Sequence, residues 1–198
     1  MTRLVIASGN AGKVREFGHL LAGLGLEIQP QPEGLEVEET GATFAENARL
    51  KASAVARASG AWALADDSGL SVDALGGAPG VHSARYADSD SARIARLLRE
   101  LEQAEATSTN PSRQAHFAAA LALADPNGTI RLEVEGRCPG VILEAPRGTG
   151  GFGYDPVFLV PEAGLTFAEM PSNLKAKLGH RGRAFAQLEP ALRQLLGR

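Results

Sequence analysis

The chain has 198 residues, 44% of them hydrophobic and 22% charged, which excludes a disordered, collagen-like or coiled-coil protein and suits a single domain over residues 1–198. Twenty basic against 23 acidic side chains leave a net charge of −3, without the basic surplus that grips duplex phosphates, so no nucleic-acid partner is expected. The one cysteine, Cys138, rules out an internal disulfide and a cysteine-rich zinc module, and no apolar run nears the ~20 residues of a membrane span. The expectation is a cytoplasmic protein with no membrane partner.

In chain order, Arg3 to Ser8 reads as a short buried strand running into the glycine-bearing loop Gly9 to Gly12, and Lys13 to Leu24 as an amphipathic helix. A second strand is expected at Glu27–Gln29 and a loop over Pro30 to Gly41. Thr43 stands three residues before Glu46, a capping-box spacing, and the alanine-rich run after it stops at Gly60, so this stretch is a helix. Trp62 to Ala65 reads as a strand ending in the acidic pair Asp66–Asp67, with an extended continuation over Leu70 to Leu75. Gly76 to Gly80 is loop. Ser91 to Glu105 carries Ile94, Leu97, Leu98 and Leu101 on one helical stripe, and the polar stretch Thr107 to Ser112 is the best linker candidate. Gln114 to Ala124 and Thr129 to Arg137 flank the turn signal Asp125-Pro-Asn-Gly128 and predict a hairpin. Pro146 to Gly153 is a glycine-rich loop leading to a strand at Val157–Val160. Asn173 to Leu196 is helical, with a break near Gly179 and a kink or restart at Pro190. Strands and helices that interleave and then give way to a hairpin predict an α/β protein with a mixed sheet.

The chemistry-bearing residues fall in four places. Gly9-Asn-Ala-Gly12-Lys13 stands where a strand hands over to a helix, so backbone N–H groups and the helix's positive end can hold phosphate, with Lys13 as a point charge. Only two residues separate its glycines and Val14 follows the lysine, so it is not a Walker loop. Asp66 and Asp67 are adjacent on a strand and therefore point to opposite faces. One of them, with Glu38 or Glu39 of the preceding loop, can offer the oxygen donors that Mg²⁺ prefers, while the other is structural. Phe152-Gly-Tyr-Asp155 follows two glycines, where an aromatic ring can stack on a nucleobase and Asp155 can bond to its edge. His180-Arg181 opens a helix and can donate to a carbonyl or a phosphate. His19, His82 and His116 lack metal-type spacing. No G-x-S-x-G, H-E-x-x-H or Cys–His arrangement is present, which disfavours metal-free hydrolysis.

Taken together, Ser8-Gly-Asn-Ala-Gly-Lys13, Glu39-Thr-Gly-Ala-Thr-Phe-Ala-Glu-Asn-Ala48, Ala65-Asp-Asp-Ser-Gly-Leu70, Gly76-Gly-Ala-Pro-Gly80 with Ser83-Ala-Arg-Tyr86, Gly150-Gly-Phe-Gly-Tyr-Asp-Pro156 and His180-Arg-Gly182 resemble the inosine/xanthosine triphosphate pyrophosphatase family. The blocks run in order from residue 8 to residue 182. The resemblance implies Mg²⁺-dependent hydrolysis of ITP, dITP and XTP to the monophosphate and pyrophosphate by a homodimer that cleans the nucleotide pool. It also implies a two-lobed α/β fold around a long mixed sheet flanked by helices, with the active site in the cleft between lobes. Carried over by position, Ser8, Gly9, Asn10, Ala11, Gly12 and Lys13 would grip the triphosphate. Glu39 and Asp67 would bind metal, Asp67 also serving as proton acceptor, and Ser68 would touch the substrate. Phe152, Gly153, Tyr154 and Asp155, with Lys175, His180 and Arg181, would meet base, sugar and phosphate. On this reading His180 or Arg181 would satisfy the six-oxo group of the base. Two positions depart from the family pattern: Gly179, where serine is usual, and Pro190 inside the last helix. A pyrimidine triphosphate pyrophosphatase of related fold and a non-catalytic nucleotide-binding module are the alternatives.

Overall fold

The computed structural model describes residues 2–197. Among the described residues, seven strands and five α-helices follow one another as β1 (Thr2–Ala7), α1 (Ala11–Leu20), β2 (Leu26–Pro30), α2 (Phe44–Ser59), β3 (Trp62–Val72), α3 (Asp90–Thr107), β4 (Gln114–Ala124), β5 (Ile130–Ile142), β6 (Phe158–Val160), β7 (Leu165–Thr166), α4 (Ser172–Leu178) and α5 (His180–Leu196). The strands form one mixed sheet in the order β2-β1-β3-β4-β5-β6-β7. β1 runs parallel to β2 and β3, whereas β6 runs antiparallel to β5 and β7. The expected α/β class with a mixed sheet flanked by helices is therefore what the chain adopts.

The chain divides into two compact units. The first comprises residues 1–67, 119–136 and 181–198, and the second residues 68–118 and 137–180. Thr107 to Ser112, expected as a linker, instead joins α3 to β4 inside the second unit.

In the first unit, strand alternation sorts residues by size. Leu4, Ile6, Leu64, Leu121 and Leu123 share one face with Phe17 of α1, with Leu21 just after it, and with Phe185, Leu188 and Leu192 of α5. The residues between them, Val5, Ala7, Ala63, Ala65, Ala120, Ala122 and Ala124, meet Ala48, Ala52, Val55 and Ala56 of α2 on the other. Small residues on both sides let α2 approach the sheet closely. Pro190 lies inside α5 without ending it, since buried Leu188 and Leu192 hold the helix on both sides of the residue that lacks an N–H.

The second unit is built around Leu70 and Val72 of β3, Ile94, Leu97 and Leu101 of α3, Phe117, Cys138, Ile142, Phe158 and Phe167. Its aromatic centre places Phe117 4.7 Å from Phe158 in an edge-on pair and 5.5 Å from Phe167 in a stack.

β3 departs from expectation. It runs unbroken from Trp62 to Val72 through Asp66 and Asp67, where the acidic pair reads as a strand end. Cationic side chains on both faces neutralise the two carboxylates, so they are tolerated in mid-strand with 2% and 5% exposure.

Candidate active site

In the first unit, β1 passes through Ser8 and Gly9 into α1, which Asn10 caps. The Asn10 Oδ1 accepts from the N–H of Gly12 at 2.9 Å and of Lys13 at 3.1 Å, and the Ser8 hydroxyl accepts from the N–H of Asn10. Two of the amides expected to face phosphate are thus already bonded to the cap. The Lys13 ammonium turns toward β3 and lies 2.7 Å from Asp66 Oδ2. Arg181, near the start of α5, brings Nε and Nη2 to 3.4 Å from the same oxygen and Nη1 to 2.9 Å from Glu16 of α1. Burial, the largest influence on Asp66, pushes its carboxyl up, but Arg181 and Lys13 together outweigh it and hold the group well below the usual carboxylate range. Burial also pushes the Lys13 ammonium down, against the attraction of Asp66.

Asp67 faces the other way and meets Lys51 of α2. The Lys51 ammonium donates to Glu39 Oε1 at 2.9 Å, to the Asp66 carbonyl at 2.8 Å and to Asp67 Oδ1 at 3.0 Å, which uses all three of its protons. Burial pulls this ammonium down, yet Asp67, Asp66 and Glu39 raise it overall, so it stays charged. Burial pushes the Asp67 carboxyl up, with Lys51 opposing, and Asp67 Oδ2 has no hydrogen-bond partner among the described residues.

The loop carrying Glu39 is fastened to the start of α2. Thr43 and Glu46 form the expected capping box, Glu46 also accepts from Ala42, and the Asn47 Oδ1 accepts from the N–H of Gly41 at 2.7 Å. A Cβ on Gly41 would sit 2.6 Å from that oxygen, so only glycine allows the approach. Glu38 is exposed; Glu39 is the one drawn into the cluster.

In the second unit, Ser68 follows Asp67 along β3 and is half-buried. The glycine loop packs against residues 166–169: Gly150 donates to the Ala168 carbonyl at 3.1 Å, and Arg147 pairs with Glu169. Gly151 has φ +70°, and a Cβ there would collide with Asp155. Asp155, 4% exposed, uses Oδ2 to accept from the N–H of Phe152 at 3.0 Å and from the Lys175 ammonium at 2.6 Å. Lys175 of α4 also stands 5.1 Å from the Phe152 ring centroid and 5.3 Å from that of Phe167. Tyr154 is buried and its hydroxyl donates to the Ser83 carbonyl at 2.7 Å. His180 is buried and stacks on Phe117 at 4.8 Å and Phe167 at 5.8 Å.

The structure thus gathers Lys13, Glu39, Asp66, Asp67 and Arg181 into one charged cluster of the first unit. Phe152, Asp155, Lys175 and His180 gather around Phe167 in the second. Lys51 and Glu16 escape notice in the sequence. The signal for Lys51 is its place beside the Ala48, Ala52 and Val55 stripe, four residues after Asn47, a polar pair against a buried helix face. Glu16 lies on α1 three residues after Lys13, and its partner Arg181 comes from the far end of the chain.

Two carboxylates near one cation, one of them with an unpartnered oxygen, suit a divalent metal that completes its shell with water and phosphate oxygens. Among the described residues no three His, Cys, Asp or Glu side chains gather to cage a metal by themselves, and no helix is long and apolar enough to cross a membrane.

A strand–loop–helix beside paired carboxylates, set in this mixed sheet, defines an α/β fold with a buried charged cluster, and comparison with known proteins gives its class. The Ham1 family model matches residues 4–191, so the chain belongs to the Ham1 family. It is 62% identical over 196 residues to a dITP/XTP pyrophosphatase of Parasynechococcus marenigrum (strain WH8102), covering 99% of this chain and 97% of the relative. It is 63% identical over 193 residues to a dITP/XTP pyrophosphatase of Synechococcus sp. (strain CC9311), covering 98% and 91%. Among solved structures, a HAM1 protein from Coxiella burnetii superposes with a TM-score of 0.86 at 42% identity, covering 98% of this chain and all of the other.

Proposed function

We propose that this chain hydrolyses the non-standard purine nucleoside triphosphates dITP, ITP and XTP to the monophosphate and pyrophosphate, with Mg²⁺. The observation that carries the reading is the convergence of Glu39 and Asp67 on the Lys51 ammonium, with Asp67 Oδ2 unpartnered among the described residues. Family membership and the names of the relatives support the substrate class.

Glu39 and Asp67 are the residues that would hold Mg²⁺, which when bound offsets phosphate charge and draws electron density from phosphorus. Water attacks the α-phosphorus, its proton passes to Asp67, and the bond to the oxygen bridging the α- and β-phosphorus breaks, so pyrophosphate carries the electron pair away. Burial suits Asp67 to this task, because a carboxylate pushed upward is a stronger base than one in water. Lys13, steadied by Asp66, offsets negative charge on the departing phosphates, and Lys51 opposes the upward push of burial on Asp67. Phe152 offers a face for the purine. His180 or Arg181 supplies the donor that a six-oxo purine accepts and adenine does not, so ATP would leave a buried donor without its bond. Homodimeric assembly and a cytoplasmic site of action belong to the same proposal.

Incubation of the purified chain with ITP and Mg²⁺ tests it: IMP and pyrophosphate in equal amounts are expected, and release of orthophosphate from ITP would refute it.

A further inference from the structure

Asp90, the first residue of α3, lies outside every motif that carries the family resemblance, yet it reaches the loop that bears Phe152. Its Oδ2 accepts from the N–H of Gly153 at 2.8 Å, 63 residues away in sequence. Its Oδ1 accepts from Arg93 Nη1 at 2.7 Å, so both carboxylate oxygens are engaged and the side chain is held in one orientation. The residue before Gly153 is fastened from the other side, since Phe152 donates its N–H to Asp155. The backbone on both sides of Phe152 is therefore held by carboxylates: the Gly151–Phe152 amide by Asp155 of its own loop, and the Phe152–Gly153 amide by Asp90 of α3.

α3 is itself a firm base for such a clamp. Ser89 caps it through the N–H of Ala92 at 3.2 Å, and Ile94, Leu97 and Leu101 bury one face in the core of the second unit. One turn further on, the Arg96 guanidinium lies 3.8 Å from the Tyr86 ring centroid, donates to the Tyr86 carbonyl at 2.7 Å, and shares Glu100 with the Tyr86 hydroxyl. That segment also receives the Tyr154 hydroxyl at Ser83. The same helix thus anchors both the 83–86 segment and the backbone directly after Phe152. A Cβ placed on Gly153, at φ +62°, would meet nothing within 4 Å, so the space beside this residue is open and the tie on its amide is the bond to Asp90.

We propose that Asp90 is a positioning residue for recognition of the purine: through the Gly153 N–H it fixes where the Phe152 ring stands, and so governs binding of the base while leaving the phosphate chemistry alone. This rests on the functional reading above. A carboxylate in the first turn of a helix also favours the helix dipole. That role alone would lower thermal stability and leave substrate binding unchanged, so the two are separable.

The experiment compares wild type, Asp90→Ala and Asp90→Asn. For Asp90→Ala, KM for ITP should rise about tenfold while kcat stays within about twofold, because the lost contact is a charge-assisted hydrogen bond that orients a binding group. Inhibition by inorganic tripolyphosphate, which has no base, should be unchanged. Asp90→Asn keeps an acceptor for Gly153 and should recover most of the loss; it also carries the test if the alanine variant does not fold. Calorimetric titration with IMP reads base binding without turnover, and its affinity should fall by the same factor as KM rises. A lower melting temperature with unchanged KM and IMP affinity overturns the proposal, as does an equal loss of IMP and tripolyphosphate binding. Wild type that binds IMP but releases no pyrophosphate refutes the functional reading and leaves the Asp90 comparison standing on IMP affinity. Wild type that binds no IMP overturns both.

Discussion

Asp66 and Asp67 are neighbours on one strand and face opposite charged partners: Asp66 lies 2.7 Å from the Lys13 ammonium, and Asp67 accepts from Lys51 at 3.0 Å. Strand alternation produces this split, and it gives the two carboxylates different surroundings. Asp66 is buried with Lys13 and Arg181 on its Oδ2, and its carboxyl is held well below the usual range. Asp67 is pushed up by burial and keeps an oxygen without a partner among the described residues.

Removing the Asp66 charge should therefore show as instability. Asp66→Asn leaves Lys13 and Arg181 beside a neutral amide, and breaking a buried pair from one side costs about 3–5 kcal/mol. Urea denaturation at neutral pH measures it; a change under about 1 kcal/mol would mean that Asp66 does not balance those cations. Because the folded Asp66 carboxyl is depressed, its contribution is present above the unfolded value near 3.8 and fades as pH falls below it. The variant should lose that part of the acid dependence.

Lys51 makes a prediction with a definite sign. It opposes the upward push of burial on Asp67, so Lys51→Met should raise the Asp67 carboxyl further. A base must be ionised, and activity disappears as pH falls through its titration. The acid limb of the kcat/KM profile should consequently move toward neutrality in Lys51→Met, beyond any overall loss of rate. An acid limb that stays in place would detach Lys51 from the titration of Asp67.

Much of this arrangement is legible in the chain itself. The Thr43–Glu46 capping box, the stop at Gly60, the α3 stripe and the Asp125–Gly128 turn are local signals, each complete within a few residues, and each appears where the sequence puts it. The unbroken course of β3 is not local: it depends on Lys13, Lys51 and Arg181 arriving from three other elements to neutralise carboxylates that read as a strand end. The same holds for Glu16, whose partner Arg181 lies 165 residues away, and for β7, whose two residues are too few to carry a pattern. Asp155 is legible as a site residue, but not its partners. Its bonds to Phe152 and Lys175 require the closed loop.

Metal withdrawal should separate Glu39 from the phosphate loop. Chelation is expected to abolish turnover and Mg²⁺ to restore it. Glu39→Gln should raise the Mg²⁺ concentration for half-maximal rate at least about tenfold, with a smaller change in KM for ITP, because the amide loses the charge that a hard cation prefers. Equal Mg²⁺ dependence in variant and wild type would remove Glu39 from the metal site.

Gly151 tests the glycine loop. A methyl group there meets Asp155 and must hold φ at +70°, so Gly151→Ala should push Asp155 off Phe152 and Lys175. KM for ITP should rise by about tenfold or more with a lower melting temperature. Wild-type KM would show that the loop tolerates the displacement.

The most direct measurement follows the products of ITP in wild type and Asp67→Asn side by side, with Mg²⁺ present. Wild type should release one pyrophosphate for each IMP, and Asp67→Asn should be slower by at least about 10²–10³-fold, on the scale of losing one preorganised group, while its melting temperature stays close to that of wild type. Turnover by Asp67→Asn at the wild-type rate, or orthophosphate in place of pyrophosphate from the wild type, would contradict the assignment of Asp67 and of the reaction.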